Sequence, residues 1–195
     1  MSSNLIRWGG AAAILGGILW IVPAIITAFK PRGCIGPDEC DVMTMRDTSD
    51  VAPFLLLALL LTAVGLAGMT IRAWNTGHFG RLAKAGVALY VVGVALFILG
   101  TVLTAISEAF WVLMLPAGLA LITGLVLTGI AVFKTRVLPR WVAVLLIVGS
   151  LGMLGFNDQN AEVLMAIPFG LAWIAVGYAL WSDRGSPVRW TTPVR

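Results

Sequence analysis

Residues 82–133 read LAKAGVALYVVGVALFILGTVLTAI, SEA, FWVLMLPAGLALITGLVLTGIAVF. Two apolar runs, Leu82–Ile106 and Phe110–Phe133, are separated only by Ser107-Glu108-Ala109. A helix needs about 20 mostly apolar residues to cross the hydrocarbon core of a bilayer, and each run is long enough. A link of three residues makes them a tight antiparallel pair. Working outward, the same signal recurs at Leu5–Phe29 and Val51–Ala73 before this pair, and at Pro139–Phe156 and Ala161–Trp181 after it. The expected fold is all-α: a polytopic membrane protein with a bundle of six transmembrane helices.

Composition agrees with that reading. Of 195 residues, 59% are hydrophobic and 11% charged, with a mean hydropathy of +0.98. Soluble domains run nearer 45–50% apolar and about 25% charged. So much apolar surface excludes a water-soluble enzyme, and it also excludes disorder over most of the chain. The net charge of +4 does not indicate nucleic acid, because the basic residues flank apolar segments and do not gather on one soluble face.

Their distribution is instead a topology signal. One side holds Arg7, Arg72, Arg81, Lys84, Lys134, Arg136, Arg140, Arg184, Arg189 and Arg195 against Asp183 alone. The other holds Lys30, Arg32 and Arg46 against Asp38, Glu39, Asp41, Asp47, Asp50, Glu108, Asp158 and Glu162. Lys and Arg are retained on the cytoplasmic side, which places both termini there and requires an even number of spans. The expected location is the bacterial cytoplasmic (inner) membrane. The first span is too long an apolar run for a cleaved signal peptide, whose core is roughly 7–15 residues. Residues 1–183 form the transmembrane domain, with an outer loop over 30–50, and residues 184–195 a flexible cytoplasmic tail.

The outer loop carries the chain's two cysteines, Cys34 and Cys40, around a Gly36-Pro37 turn. The compartment outside the membrane permits disulfides, and a structural disulfide is the expectation. A metal site of these thiols with Asp38, Glu39 and Asp41 lacks a histidine and zinc-like spacing. A redox pair lacks the Cys-x-x-Cys spacing. No metal and no cofactor is expected.

Small residues recur every seven positions: Gly9 and Gly16, Gly10 and Gly17, Gly86, Gly93 and Gly100, Ala117, Gly124 and Ala131, Gly170 and Gly177. A seven-residue period keeps one face toward a neighbour in a left-handed bundle, and small residues there let helix backbones approach. Pro116-Ala117-Gly118-Leu119-Ala120-Leu121-Ile122 also parallels Pro168-Phe169-Gly170-Leu171-Ala172-Trp173-Ile174, as three repeated helical hairpins would.

Arg7-Trp8-Gly9-Gly10, Arg81-Leu82-Ala83-Lys84-Ala85-Gly86, Val137-Leu138-Pro139-Arg140-Trp141, and Phe169-Gly170-Leu171-Ala172-Trp173 leading to Gly177-Tyr178-Ala179-Leu180-Trp181 together resemble a broad group of small multi-pass bacterial membrane proteins without an assigned activity. The likeness runs from Leu5 to Trp181 and leaves out the cysteine loop. It implies no catalytic residues.

Candidate chemistry is sparse. No ionisable side chain sits mid-span, where such groups mark proton relays and ion paths, and the sole histidine, His78, falls in a loop. Thr101, Thr104 and Glu108 share one helix face near the acidic side, where Asn157, Asp158, Gln159 and Asn160 also fall. Together they would line a polar outer mouth, unless the hydroxyls bond back to their own helix. Trp20 and Trp173 lie deep in their spans, either as packing or as contacts for an apolar ligand. Five other tryptophans (Trp8, Trp74, Trp111, Trp141 and Trp181) fall near the two interfaces as an aromatic belt. The expected function is a non-enzymatic structural or accessory subunit of a membrane complex, contacting lipid and either other membrane subunits or a second copy. The alternative is a small-molecule or lipid carrier that uses the outer mouth.

Overall fold

A computed structural model describes residues 3–31, 46–104 and 106–182. Cys34, Cys40 and the tail from 184 lie outside the described residues. The described chain is helical, with α1 at Ser3–Phe29, α2 at Ala52–Asn75, α3 at Arg81–Thr104, α4 at Met114–Thr135, α5 at Arg140–Gly152 and α6 at Ala166–Ser182. Short 3-10 turns at Glu108–Leu113 and Ala161–Met165 lead into α4 and α6, and a third, Met153–Gly155, extends α5.

Five stretches are long and apolar enough to cross a membrane: Asn4–Phe29, Ala52–Asn75, Arg81–Thr104, Ala109–Thr135 and Ala161–Ser182. The fifth segment, already the shortest of the six apolar runs in the sequence, is the one that falls below spanning length. The segment expected at Pro139–Phe156 is helical only over Arg140–Gly155, short of the others. At helical rises it reaches roughly 25 Å against a hydrocarbon thickness of about 30 Å. Its end follows from local chemistry, since Gly152 and Gly155 weaken the helix and Phe156 turns extended at φ −63°, ψ 125°. The link between the third and fourth spans also differs. Thr104 ends α3, and the 3-10 turn occupies the first residues of the expected fourth helix.

Helix ends have identifiable causes. Pro53 stands in the first turn of α2, where its missing N–H costs nothing. The other end of α2 closes on Gly77, whose φ of 71° suits glycine. The Gly77 N–H donates to Trp74 O at 3.0 Å and the His78 N–H to Ala73 O at 2.9 Å. This pair of bonds satisfies terminal carbonyls that the helix itself cannot. α4 ends at Arg136, a non-glycine residue at φ 55°, ψ 28°, whose N–H reaches Val132 O. Pro116 and Pro168 are each the third residue of their α-helix, α4 and α6, and each helix follows a 3-10 turn.

Round the bundle the neighbours run α3, α4, α5, α6, α1, α2, with only a light contact between α2 and α3. Glycines set the closest approaches. A Cβ on Gly9 would lie 2.7 Å from Gly68 Cα, and one on Gly16 3.0 Å from Thr62 Cγ2, so these two glycines face α2. One residue along, Gly10 and Gly17 face α6, where a Cβ on Gly177 would lie 2.5 Å from Gly10 O and one on Gly170 2.5 Å from Gly17 O. α1 therefore carries two adjacent small-residue seams, one for each neighbour. Between α3 and α4, a Cβ on Gly86 would meet Thr128 Oγ1 at 2.5 Å, one on Gly93 Leu121 N at 2.7 Å, and one on Gly124 Tyr90 N at 2.6 Å. Gly100 faces the Met114 and Leu113 side chains. These contacts all fall within one chain.

The central core joins Leu66 and Met69 of α2, Tyr90 of α3, Leu125 of α4, Val142 and Leu146 of α5, and Phe169, Trp173 and Val176 of α6. Two buried hydroxyls beside it are satisfied within their own helices. Thr128 bonds Gly124 O at 2.8 Å and Ser150 bonds Leu146 O at 2.6 Å, as polar groups in an apolar medium require.

Candidate functional site

The densest polar structure gathers at the acidic end of the bundle. Three segments build it: the end of α1, residues 46–51 leading into α2, and the loop 157–160 between α5 and α6. Asn157 and Asp47 each fold their own segment. The Asn157 side-chain oxygen accepts from Gln159 N at 2.9 Å, and Asp47 Oδ1 accepts from Ser49 N at 2.9 Å. Hydrogen bonds from Ser49 hold the exposed Asp47 carboxyl below its usual range.

Arg46 then ties the segments together. Its backbone N–H donates to Gln159 Oε1 at 2.7 Å, while Gln159 Nε2 donates back to Arg46 O at 3.4 Å. Its guanidinium donates to Asn160 O at 2.8 Å and approaches Ala28 O at 3.5 Å, one of the last carbonyls of α1. Terminal helix carbonyls have no partner in their own ladder, so a cation is well placed there. The Arg46 Nε atom is buried without a partner. Beside it, Lys30 pairs with Asp50 and donates to Asp47 O at 2.9 Å.

Under this clamp lies a cavity of about 100 Å³, walled by Pro23, Ala24, Val51, Leu55, Phe156 and Val163, with Thr27, Thr48 and Asp158 among its lining. Thr48 Oγ1 donates to Asp158 Oδ2 at 3.2 Å, and Thr27 is buried. The result is an apolar pouch with a carboxylate and two hydroxyls on its wall. It has room for a few waters or a small polar molecule.

The expected polar mouth is distributed differently. Thr101 donates to Phe97 O at 2.9 Å and Thr104 to Gly100 O at 2.8 Å, each back into α3. Glu108 opens the following turn, and its side chain lies outside the described residues. Asp158 faces Thr48 and the cavity, and Asn157 shapes its own loop. Trp20 and Trp173 belong to one edge-to-face series: Trp20 to Phe169 at 5.2 Å, then Phe169 to Trp173 at 6.3 Å. Phe156 meets the other edge of Trp20 at 6.5 Å. Trp173 is wholly buried, and a Cβ on Gly65 would lie 3.3 Å from its ring. Neither indole N–H has a partner.

Sequence reading missed Arg46, Thr48 and Thr27 as site residues. The polar run at 157–160 in an apolar chain was the available signal. Among the described residues no group of His, Cys, Asp and Glu is arranged to hold a metal ion. Comparison with known proteins returned no match: no family model, no curated protein and no solved structure aligns with the chain.

Proposed function

We propose that the chain is a non-enzymatic, multi-pass protein of the bacterial cytoplasmic membrane that serves as a structural or accessory subunit of a membrane complex. The observation that carries this reading is the contrast between its seams and its outer faces. The glycine seams are used up inside the chain, which makes a rigid scaffold of α1, α2 and α6. α3 and α4 keep apolar residues such as Val91, Val102, Leu115 and Leu119 on the outside, a surface open to lipid and to neighbouring spans. The topology that goes with it has six membrane-embedded helices, arranged as three hairpins, with both termini on the basic, cytoplasmic side. The deep Trp20 and Trp173 act as packing.

Native mass spectrometry of a tagged chain, extracted gently from its source membrane, tests the reading. Stoichiometric co-purification with other membrane subunits is the expected result. A bare monomer or homo-oligomer would count against it.

The cavity beneath Arg46 favours a second reading, a small-molecule or lipid carrier. Under that reading Asp158 at the mouth holds the polar part of the cargo. A reproducible small adduct on the isolated chain, lost in Asp158→Asn at unchanged abundance, would move the assignment there.

A further inference from the structure

At the end of the bundle opposite Arg46, three arginines from two distant parts of the chain border one open groove. They are Arg72 near the end of α2, Arg136 just after α4, and Arg140 at the start of α5, with Val137, Leu138 and Pro139 between them and a volume of about 410 Å³. Among the described residues no carboxylate lines it. From this groove we infer a binding site for the headgroup phosphate of an anionic phospholipid, at the basic face of the bundle.

Arg72 and Arg140 are held by side-chain contacts, and Arg136 is placed by its backbone. Arg72 donates to Ala179 O at 3.3 Å, near the end of α6. The Arg140 guanidinium lies over the Phe133 ring, 5.4 Å from its centre. Arg136 stands in the left-handed region at φ 55°, where glycine is the unstrained residue. An arginine kept there sets its charge on the rim of the groove in place of the easier backbone. Val137 and Leu138 are buried beneath and give the groove an apolar floor.

The surroundings favour a lipid over a free anion. α2, α4 and α5 all end or begin at this groove, so it lies at the level where apolar spans give way to polar residues. Along α5, Trp141, Val144 and Val148 are exposed on the outside of the bundle, spaced to carry acyl chains running from a headgroup held at Arg140. Guanidinium groups bind phosphate oxygens through paired N–H donors, and basic residues at a membrane surface attract anionic lipids at about 1 kcal/mol each. That corresponds to about fivefold in occupancy for each arginine. The inference needs only a membrane-embedded bundle and is independent of the accessory-subunit reading.

The experiment titrates the delipidated full-length chain, in a neutral detergent, with phosphatidylglycerol or phosphatidylcholine, and counts bound lipids by native mass spectrometry. Phosphatidylglycerol is expected to be retained at least about 25-fold better than phosphatidylcholine. Arg140→Gln is expected to lose about fivefold of that retention, and Arg136→Gly with Arg140→Gln about 25-fold. Arg136→Gly relieves the left-handed backbone, so its melting temperature should equal or exceed that of the parent chain. Arg140→Gln alone carries the test if the double variant is unstable. Arg81→Gln with Lys84→Gln removes two charges from the same side outside the groove and should leave retention unchanged. Equal retention of the two lipids would overturn the site, as would equal losses in the groove and control variants. Complete displacement of phosphatidylglycerol by millimolar inorganic phosphate would assign the groove to a free anion and overturn the lipid.

Discussion

The trio α1, α2 and α6 and the hairpin α3–α4 are built from the same residues and held in the bundle differently. In the trio, α1 meets both neighbours through glycines one residue apart, and 61% of the apolar stretch of α6 is buried. In the hairpin the two helices lock to each other through Gly86, Gly93 and Gly124, yet only 22% of the α3 stretch and 17% of the α4 stretch is buried. The hairpin joins the rest through α5 and through one buried polar link to α2, where Thr62 Oγ1 and Tyr90 OH lie 3.2 Å apart. A seven-residue glycine repeat therefore reports that a helix has a close neighbour. It does not report how many neighbours that helix has.

The largest effect expected from this contrast is at Gly170. Gly170→Leu drives a side chain into the backbone of α1 and should cost about 3 kcal/mol or more, read as a large loss of folded protein in thermal unfolding and membrane abundance. Gly118→Leu, on α4, has open space around its Cβ and should be neutral or slightly stabilising, because glycine is a poor helix former. Similar losses at both positions would dissolve the distinction.

Next in size is Arg46, which extends the locked region to the acidic end. Arg46→Met removes the donors to Asn160 O and Ala28 O and should destabilise by about 1–3 kcal/mol, with faster hydrogen exchange over 157–160. A smaller effect is expected at the link between the two regions. Tyr90→Phe and Thr62→Val should each cost about 1 kcal/mol, and the double variant little more than either alone. Full additivity would show that the hydroxyl pair does not join them.

The smallest effect belongs to Asp47. Its folded-state pKa lies below the ordinary value of 3.8, so the turn it makes with Ser49 is favoured above that value. This contribution is lost as pH falls through the folded pKa. Protease sensitivity of the segment before α2 should rise only at the acid end of such a titration, and Asp47→Asn should flatten the profile.

Most of the helices were legible in the sequence because each carries its own evidence. The apolar runs place α1, α2 and α6 within a few residues of their ends. The fifth segment, read as Pro139–Phe156, is helical over Arg140–Gly155; what the sequence did not show is the 3-10 ending at Met153–Gly155, because Gly152 and Gly155 look like ordinary small residues within an apolar run. The polar end was harder for a different reason. Thr101, Thr104 and Glu108 share a face by spacing, but a threonine hydroxyl in an apolar medium takes the nearest carbonyl of its own helix. Arg46 and Gln159 are 113 residues apart, and no local pattern announces their pairing. The charge count placed Arg46 on the correct end without showing what it holds.

The two seams on α1 also set a timetable. Gly9 and Gly16 find α2 as soon as the next helix is made. Gly17 meets Gly170, 153 positions later in the chain, which at about 5–20 residues per second is a delay of roughly 8–30 s. Throughout that interval Gly10 and Gly17 have no partner helix within the chain, and the second seam of α1 stays open. In order of synthesis, the α1–α6 seam is the last of the glycine seams that can close.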